Sequence, residues 1–117
     1  MVQRDFIPYE QALELKELGF DEPCFGKIYA DGGSEQLSYP YKNSDQIGKV
    51  TSCSAPLYQQ VFRWFREKYG IVGYCYIPNE TGYWGHSFEN KAKYGTYEEA
   101  ELECVKELIS IVKNKYN

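Results

Sequence analysis

The chain has 117 residues and a mass of 13.6 kDa, a size that suits a single domain, and neither a linker nor a low-complexity tract divides it. With 43% hydrophobic and 26% charged residues it reads as a soluble globular protein, and no apolar run approaches the ~18 residues that a membrane-spanning helix needs. Its 17 acidic against 13 basic side chains, with a pI near 5.0, argue against a nucleic acid polymer as partner, because a phosphate backbone calls for a basic footprint.

Pro8 suits the opening turn of a helix, since it has no N–H to leave unpaired. Tyr9, Ala12, Leu13, Leu15 and Leu18 then recur at helical spacing, which predicts a helix over 8–18. Gly19 is the expected left-handed stop, with Phe20 folding back onto Leu15. Residues 24–30 read as a strand, Asp31-Gly32-Gly33 as a hairpin turn and 36–39 as its return, with Pro40 restricting that return to a sheet edge. The polar stretch 42–54 reads as a loop.

Ser54 is a candidate cap for a second helix over 55–69, whose apolar stripe comprises Leu57, Tyr58, Val61, Phe62, Phe65 and Tyr69 and which Gly70 ends. Residues 71–77 carry the strongest strand pattern in the chain, and a turn over 78–82 leads into a partner strand over 83–88. The third helix opens at Thr96, which with Glu99 forms a capping box, and Lys113 and Lys115 complement the dipole at its far end. The order helix, hairpin, helix, hairpin, helix predicts one α+β domain over 1–117, with an antiparallel sheet of about four strands and helices on one face.

Chemistry-bearing residues are few. Cys24, Cys53, Cys75 and Cys104 contain no C-x-x-C pair, so we expect no metal site and four buried thiols. His86 is the single imidazole; Ser87 beside it points to the opposite face of a strand, whereas Cys75 on the neighbouring strand, or Tyr74 and Tyr76, can oppose it depending on register. No phosphate-binding, dinucleotide-binding or H-E-x-x-H motif occurs, so we expect no enzymatic activity and no cofactor.

The aromatic residues are more informative. Val72, Tyr74 and Tyr76 form one row of their strand, and Trp84, His86 and Phe88 one row of its partner. If the rows coincide, Tyr74, Tyr76, Trp84 and His86 make a stacking surface; the alternative is that these rows are covered by the 42–54 loop or belong to the core on the helix side. Arg63 and Arg66, with Trp64 beside them, offer either an anion clamp or an ordinary solvated helix face. The apolar arc of the third helix, Ala100, Cys104, Val105, Leu108, Ile109, Ile111 and Val112, is wider than one sheet face needs and suggests a homodimer.

Three stretches carry a resemblance: Phe6 through Lys27, opening Phe6-Ile7-Pro8-Tyr9-Glu10-Gln11-Ala12; Ala55-Pro56 and Gln59-Gln60 with Phe62-Arg63-Trp64-Phe65-Arg66-Glu67-Lys68-Tyr69; and Thr96-Tyr97-Glu98-Glu99-Ala100-Glu101. Together they resemble a group of short uncharacterised proteins of Bacteroidetes bacteria and their phages. The resemblance implies a small phage or mobile-element protein of the host cytoplasm, and it brings no catalytic residues. The absence of an apolar signal segment at the N-terminus points the same way. The expectation is therefore a non-enzymatic binding protein that captures a small nucleotide-like ligand through Arg63, Trp64, Arg66, Tyr74, Tyr76, Trp84 and His86. The alternative is an interaction module that uses the same aromatic residues to inhibit or adapt a host protein.

Overall fold

The computed structural model describes residues 6–45, 52–76, 83–88 and 92–116. Three helices and antiparallel strands give an α+β fold, and the chain packs as two units, residues 1–57 and 58–117.

The first unit starts with α1 (Tyr9–Glu17), preceded by Pro8 in extended conformation, whose carbonyl accepts the Ala12 N–H at 2.9 Å. At the other end Gly19 has φ 95°, a value that an L side chain resists. The Gly19 N–H reaches the Lys16 carbonyl at 3.0 Å and the Phe20 N–H the Leu15 carbonyl at 2.9 Å, the paired bonds of a Schellman stop. That ending follows the sequence expectation.

Strand β1 (Cys24–Tyr29) runs antiparallel between β2 (Ser34–Tyr41) and β3 (Ser52–Ser54), giving the order β2-β1-β3. The turn before β2 is held by Asp31, whose Oδ1 accepts the Gly33 N–H at 2.8 Å. Pro40 lies on β2, a sheet edge, where a missing N–H breaks no ladder. Alternate residues of β1, Cys24, Gly26 and Ile28, are buried and join Ile7, Ala12, Leu15, Phe20 and Cys53 in the core.

Two elements arise where the sequence read as a loop. A 3-10 turn occupies Asn43–Asp45 and β3 occupies Ser52–Ser54; residues 46–51 of that stretch lie outside the described residues. The Ser-Cys-Ser strand has no apolar alternation, and its outer edge is instead set by Asn43. The Asn43 Oδ1 accepts the Ser54 N–H at 2.9 Å while its Nδ2 donates to the Phe20 carbonyl at 2.8 Å. Ser54 is consequently a buried strand residue and not a helix cap. Residues 55–57 continue to pair within this unit, through the Ala55 N–H to Gly26, the Ile7 N–H to Pro56 and a bridge between Phe6 and Leu57.

The second unit holds α2 (Tyr58–Tyr69), β4 (Cys75–Tyr76), β5 (Gly85–His86) and α3 (Tyr97–Tyr116). Among the described residues the strands form a three-stranded and a two-stranded sheet, and the expected single sheet of four is not seen there. The stretch 71–77 yields only two ladder residues among those described, because Ser87 substitutes its side chain for ladder bonds. Its Oγ accepts the Tyr74 N–H at 3.2 Å and donates to the Val72 carbonyl at 3.4 Å. The predicted turn over 78–82 lies outside the described residues.

The cap on α3 is as expected, with Thr96 Oγ1 accepting the Glu99 N–H at 3.1 Å. Its apolar arc is spent within the chain: Ala100, Cys104, Val105, Leu108, Ile109 and Val112 are all buried and Ile111 is half-buried. No helix among the described residues is long and apolar enough to cross a membrane.

Candidate functional site: two faces of the β4–β5 pair

The site residues expected from sequence all fall in the second unit, and strand register decides which of them meet. Cys75 stands opposite His86 and Tyr76 opposite Gly85, while the Ser87 N–H donates to the Tyr74 carbonyl at 2.9 Å. Successive side chains alternate across a strand, so Cys75 and His86 share one face and Tyr74 and Tyr76 the other. The tyrosine row and the Trp84 row do not coincide.

On the inward face, His86 is 1% exposed. Its ring stacks on Tyr94 at 5.8 Å and 19°, and Nδ1 accepts the Phe88 N–H at 3.2 Å. Trp84 is half-buried with its ring edge-on to Tyr97 at 4.9 Å, and its backbone bridges to Tyr94.

Two thiols complete this face. Gly73 permits α3 to lie close, since a Cβ there would stand 2.9 Å from Leu108 Cδ1 and 3.1 Å from Cys104 Sγ. The Cys75 thiol hydrogen-bonds the fully buried Cys104 sulfur. That donated bond, helped by the Ser87 hydroxyl, lowers the Cys104 pKa against the opposing effect of burial. The same bond and burial push Cys75 up. Ser87 has one hydroxyl proton, which the Val72 carbonyl and the Cys104 sulfur share.

The outward face is aromatic. Tyr74 and Val72 are 54% and 53% exposed. The Tyr76 ring lies across Gly85 and meets the Tyr74 ring at 6.3 Å with a 52° tilt. Tyr76 is half-buried as a result.

The α2 residues divide in the same way. Trp64 is 6% exposed, edge-on to Phe65 at 5.0 Å and to Tyr69 at 5.6 Å, with the Lys68 ammonium 5.1 Å above its ring. It is a core residue and offers no stacking face. Arg63 and Arg66 are exposed, Arg63 forming an ion pair with Glu67 at 4.0 Å along the helix. Both arginines thus lie on the solvent side of the helix.

One cluster was missed by sequence reasoning. Glu101 is 7% exposed, and its carboxylate accepts from Gln59 Nε2 at 3.3 Å, which also donates to the Tyr97 hydroxyl at 3.0 Å. The available signal was an acidic residue inside the apolar arc of α3, between Ala100 and Cys104. Burial, and then the Glu101 carboxylate, push the Tyr58 and Tyr97 phenols up to about 12 from an ordinary value of 10.0. The unfolded chain thus releases phenol protons that the folded chain retains, so stability is full below about pH 10 and falls as pH rises toward about 12. Tyr58→Phe is expected to flatten that fall, read as the denaturation midpoint across the alkaline range. An equally steep fall in the variant would exclude Tyr58 as its source.

Among the described residues no group of three or more His, Cys, Asp and Glu side chains is placed to hold a metal ion. No family model matches the chain, and no match was found among curated proteins or solved structures.

Proposed function

We propose that this chain is a non-enzymatic interaction module that binds a partner protein through the outward face of the β4–β5 pair, with Tyr74 and Tyr76 as its contact residues. The observation that carries this reading is the side-by-side placement of two tyrosine rings at 6.3 Å, one of them 54% exposed, next to exposed Val72. Tyrosine brings a large amphipathic surface with only two side-chain torsions to order, which is why it is enriched among interface hot spots. The other face of the strand pair packs on α3, so the rings stand on a supported platform.

Capture of a nucleotide-like ligand by the full residue set is less well supported. It calls for stacking rings and an anion clamp on one face, whereas Trp64 and His86 are buried and Trp84 faces Tyr97. The reading assigns no proton transfer to His86, whose ring is held by Tyr94 and the Phe88 N–H.

The test replaces Tyr74 with a photo-crosslinking phenylalanine analogue in the cell of origin and uses Tyr39, 62% exposed on β2, as the control position. A discrete protein adduct from position 74 and not from 39 is the expected result. Tyr74→Ala should remove the association while changing folding stability by less than about 0.5 kcal/mol, as is usual for an exposed side chain. Equal adducts from both positions, or none, would sink the proposal. A small molecule released intact in native mass spectrometry would then favour the capture reading.

A further inference from the structure

We propose that Cys75 and Cys104 are a modification site, a dithiol that hydrogen peroxide converts to a disulfide joining β4 to α3. The inference concerns the inward face of the strand pair and is independent of what binds the outward one.

Of the four cysteines, only this pair is brought together. Cys53 stands opposite Ile28, four positions along β1 from Cys24, which places it about 13 Å from Cys24 at ~3.3 Å per strand residue. A disulfide tolerates a Cα separation of no more than about 7 Å, so Cys24 and Cys53 cannot bridge without rearrangement. Cys75 and Cys104, by contrast, lie on facing sides of the packed β4 and α3, close enough for each thiol to shift the ionisation of the other. Their approach is built into the fold: Gly73, two residues before Cys75, has no Cβ to hold α3 away, and Cys104 Sγ occupies the space beside it. Register turns Cys75 to the same side, opposite buried His86.

The two thiols differ in access and in charge. Cys75 is half-buried, so of the two it is the one a small oxidant can reach; Cys104 is fully buried among donors that favour its thiolate. Once the pair has lost one proton to solvent, the remaining proton rests on Cys75, and the Cys104 thiolate takes it up as the Cys75 sulfur becomes the nucleophile. Cys75 sulfur attacks one peroxide oxygen and the O–O bond breaks. The departing hydroxide takes up a proton as water, and Cys75 is left as the sulfenic acid. Cys104 sulfur then attacks Cys75 sulfur, the S–O bond breaks, and the hydroxide leaves with the Cys104 proton as a second water. Two thiols and one peroxide become one disulfide and two waters, with two electrons passing from sulfur to oxygen.

The experiment exposes the folded full-length chain to hydrogen peroxide, blocks remaining thiols after denaturation and maps the linked peptides without reduction. The expected result is loss of two of the four free thiols, one Cys75–Cys104 linkage, and full recovery with dithiothreitol. Cys75→Ser should form no internal linkage and lose thiol at least about tenfold more slowly, because the accessible sulfur is gone. Cys24→Ser should behave as the parent does. Circular dichroism of each variant confirms the fold, and if Cys104→Ser does not fold, Cys75→Ser at the half-buried position carries the test. Four surviving thiols in the treated parent chain would overturn the proposal, as would a linkage through Cys24 or Cys53 or oxidation of Cys75 without a bond to Cys104.

Discussion

Phe65→Ala is expected to destabilise the second unit by about 3–5 kcal/mol, the usual range for deleting a fully buried aromatic side chain. Phe65 is 0% exposed at the centre of α2, with Trp64 edge-on at 5.0 Å and Tyr69 tilted at 5.9 Å. The substitution removes the apolar area and leaves a cavity that helix packing closes only in part, and two ring contacts worth about 0.5–1.5 kcal/mol each go with it. Tryptophan fluorescence during urea denaturation is the direct check, because Trp64 and Trp84 both belong to residues 58–117. A midpoint within error of the parent's would mean that Phe65 is not the core residue that its burial indicates.

Asn43→Ala is expected to cost the first unit about 2–6 kcal/mol, since it leaves two buried backbone groups unpaired at about 1–3 kcal/mol each. Asn43 has 9% exposure and joins two segments that share no ladder: its amide donates to the Phe20 carbonyl after α1 and its oxygen accepts the Ser54 N–H on the outer edge of β3. The lost bonds have no substitute from alanine, and at that depth water replaces them poorly. Hydrogen exchange reads this unit without a tryptophan. The Ser54 amide and the β1–β3 ladder should exchange at least about tenfold faster, as a loss of more than 1.4 kcal/mol requires. Unchanged protection at Ser54 would show that another group holds that edge.

These two substitutions also separate what could be read in the chain from what could not. Phe65 belongs to a helical stripe visible from spacing alone, because one amphipathic helix obeys a local period whatever it packs against. The Gly19 stop and the Thr96 cap were legible for the same reason: each satisfies backbone groups with a partner a few residues away. Asn43 was not legible, since its partners lie 23 and 11 positions away and nothing local marks an asparagine as a bridge. β3 went unseen with it.

The candidate site divides along the same line. Sequence alternation correctly put Tyr74 and Tyr76 on one row of their strand and His86 with Trp84 on one row of the other, because a strand's period of two is intrinsic to its backbone. Whether the rows coincide depends on register, and a slip of one residue exchanges the faces. Only the pairing of Cys75 with His86 and of Tyr76 with Gly85 could settle that, placing the tyrosines outward and the imidazole within. The meeting of Cys75 with Cys104 is of the same kind. Composition, helix limits and the alternating patterns were determined by the sequence alone, since they follow from charge, solvation and local backbone geometry. Which rings share a face, which thiols touch and which arginines stay solvated were decided by tertiary structure, because each depends on a contact between segments whose sequence separation carries no periodic signal.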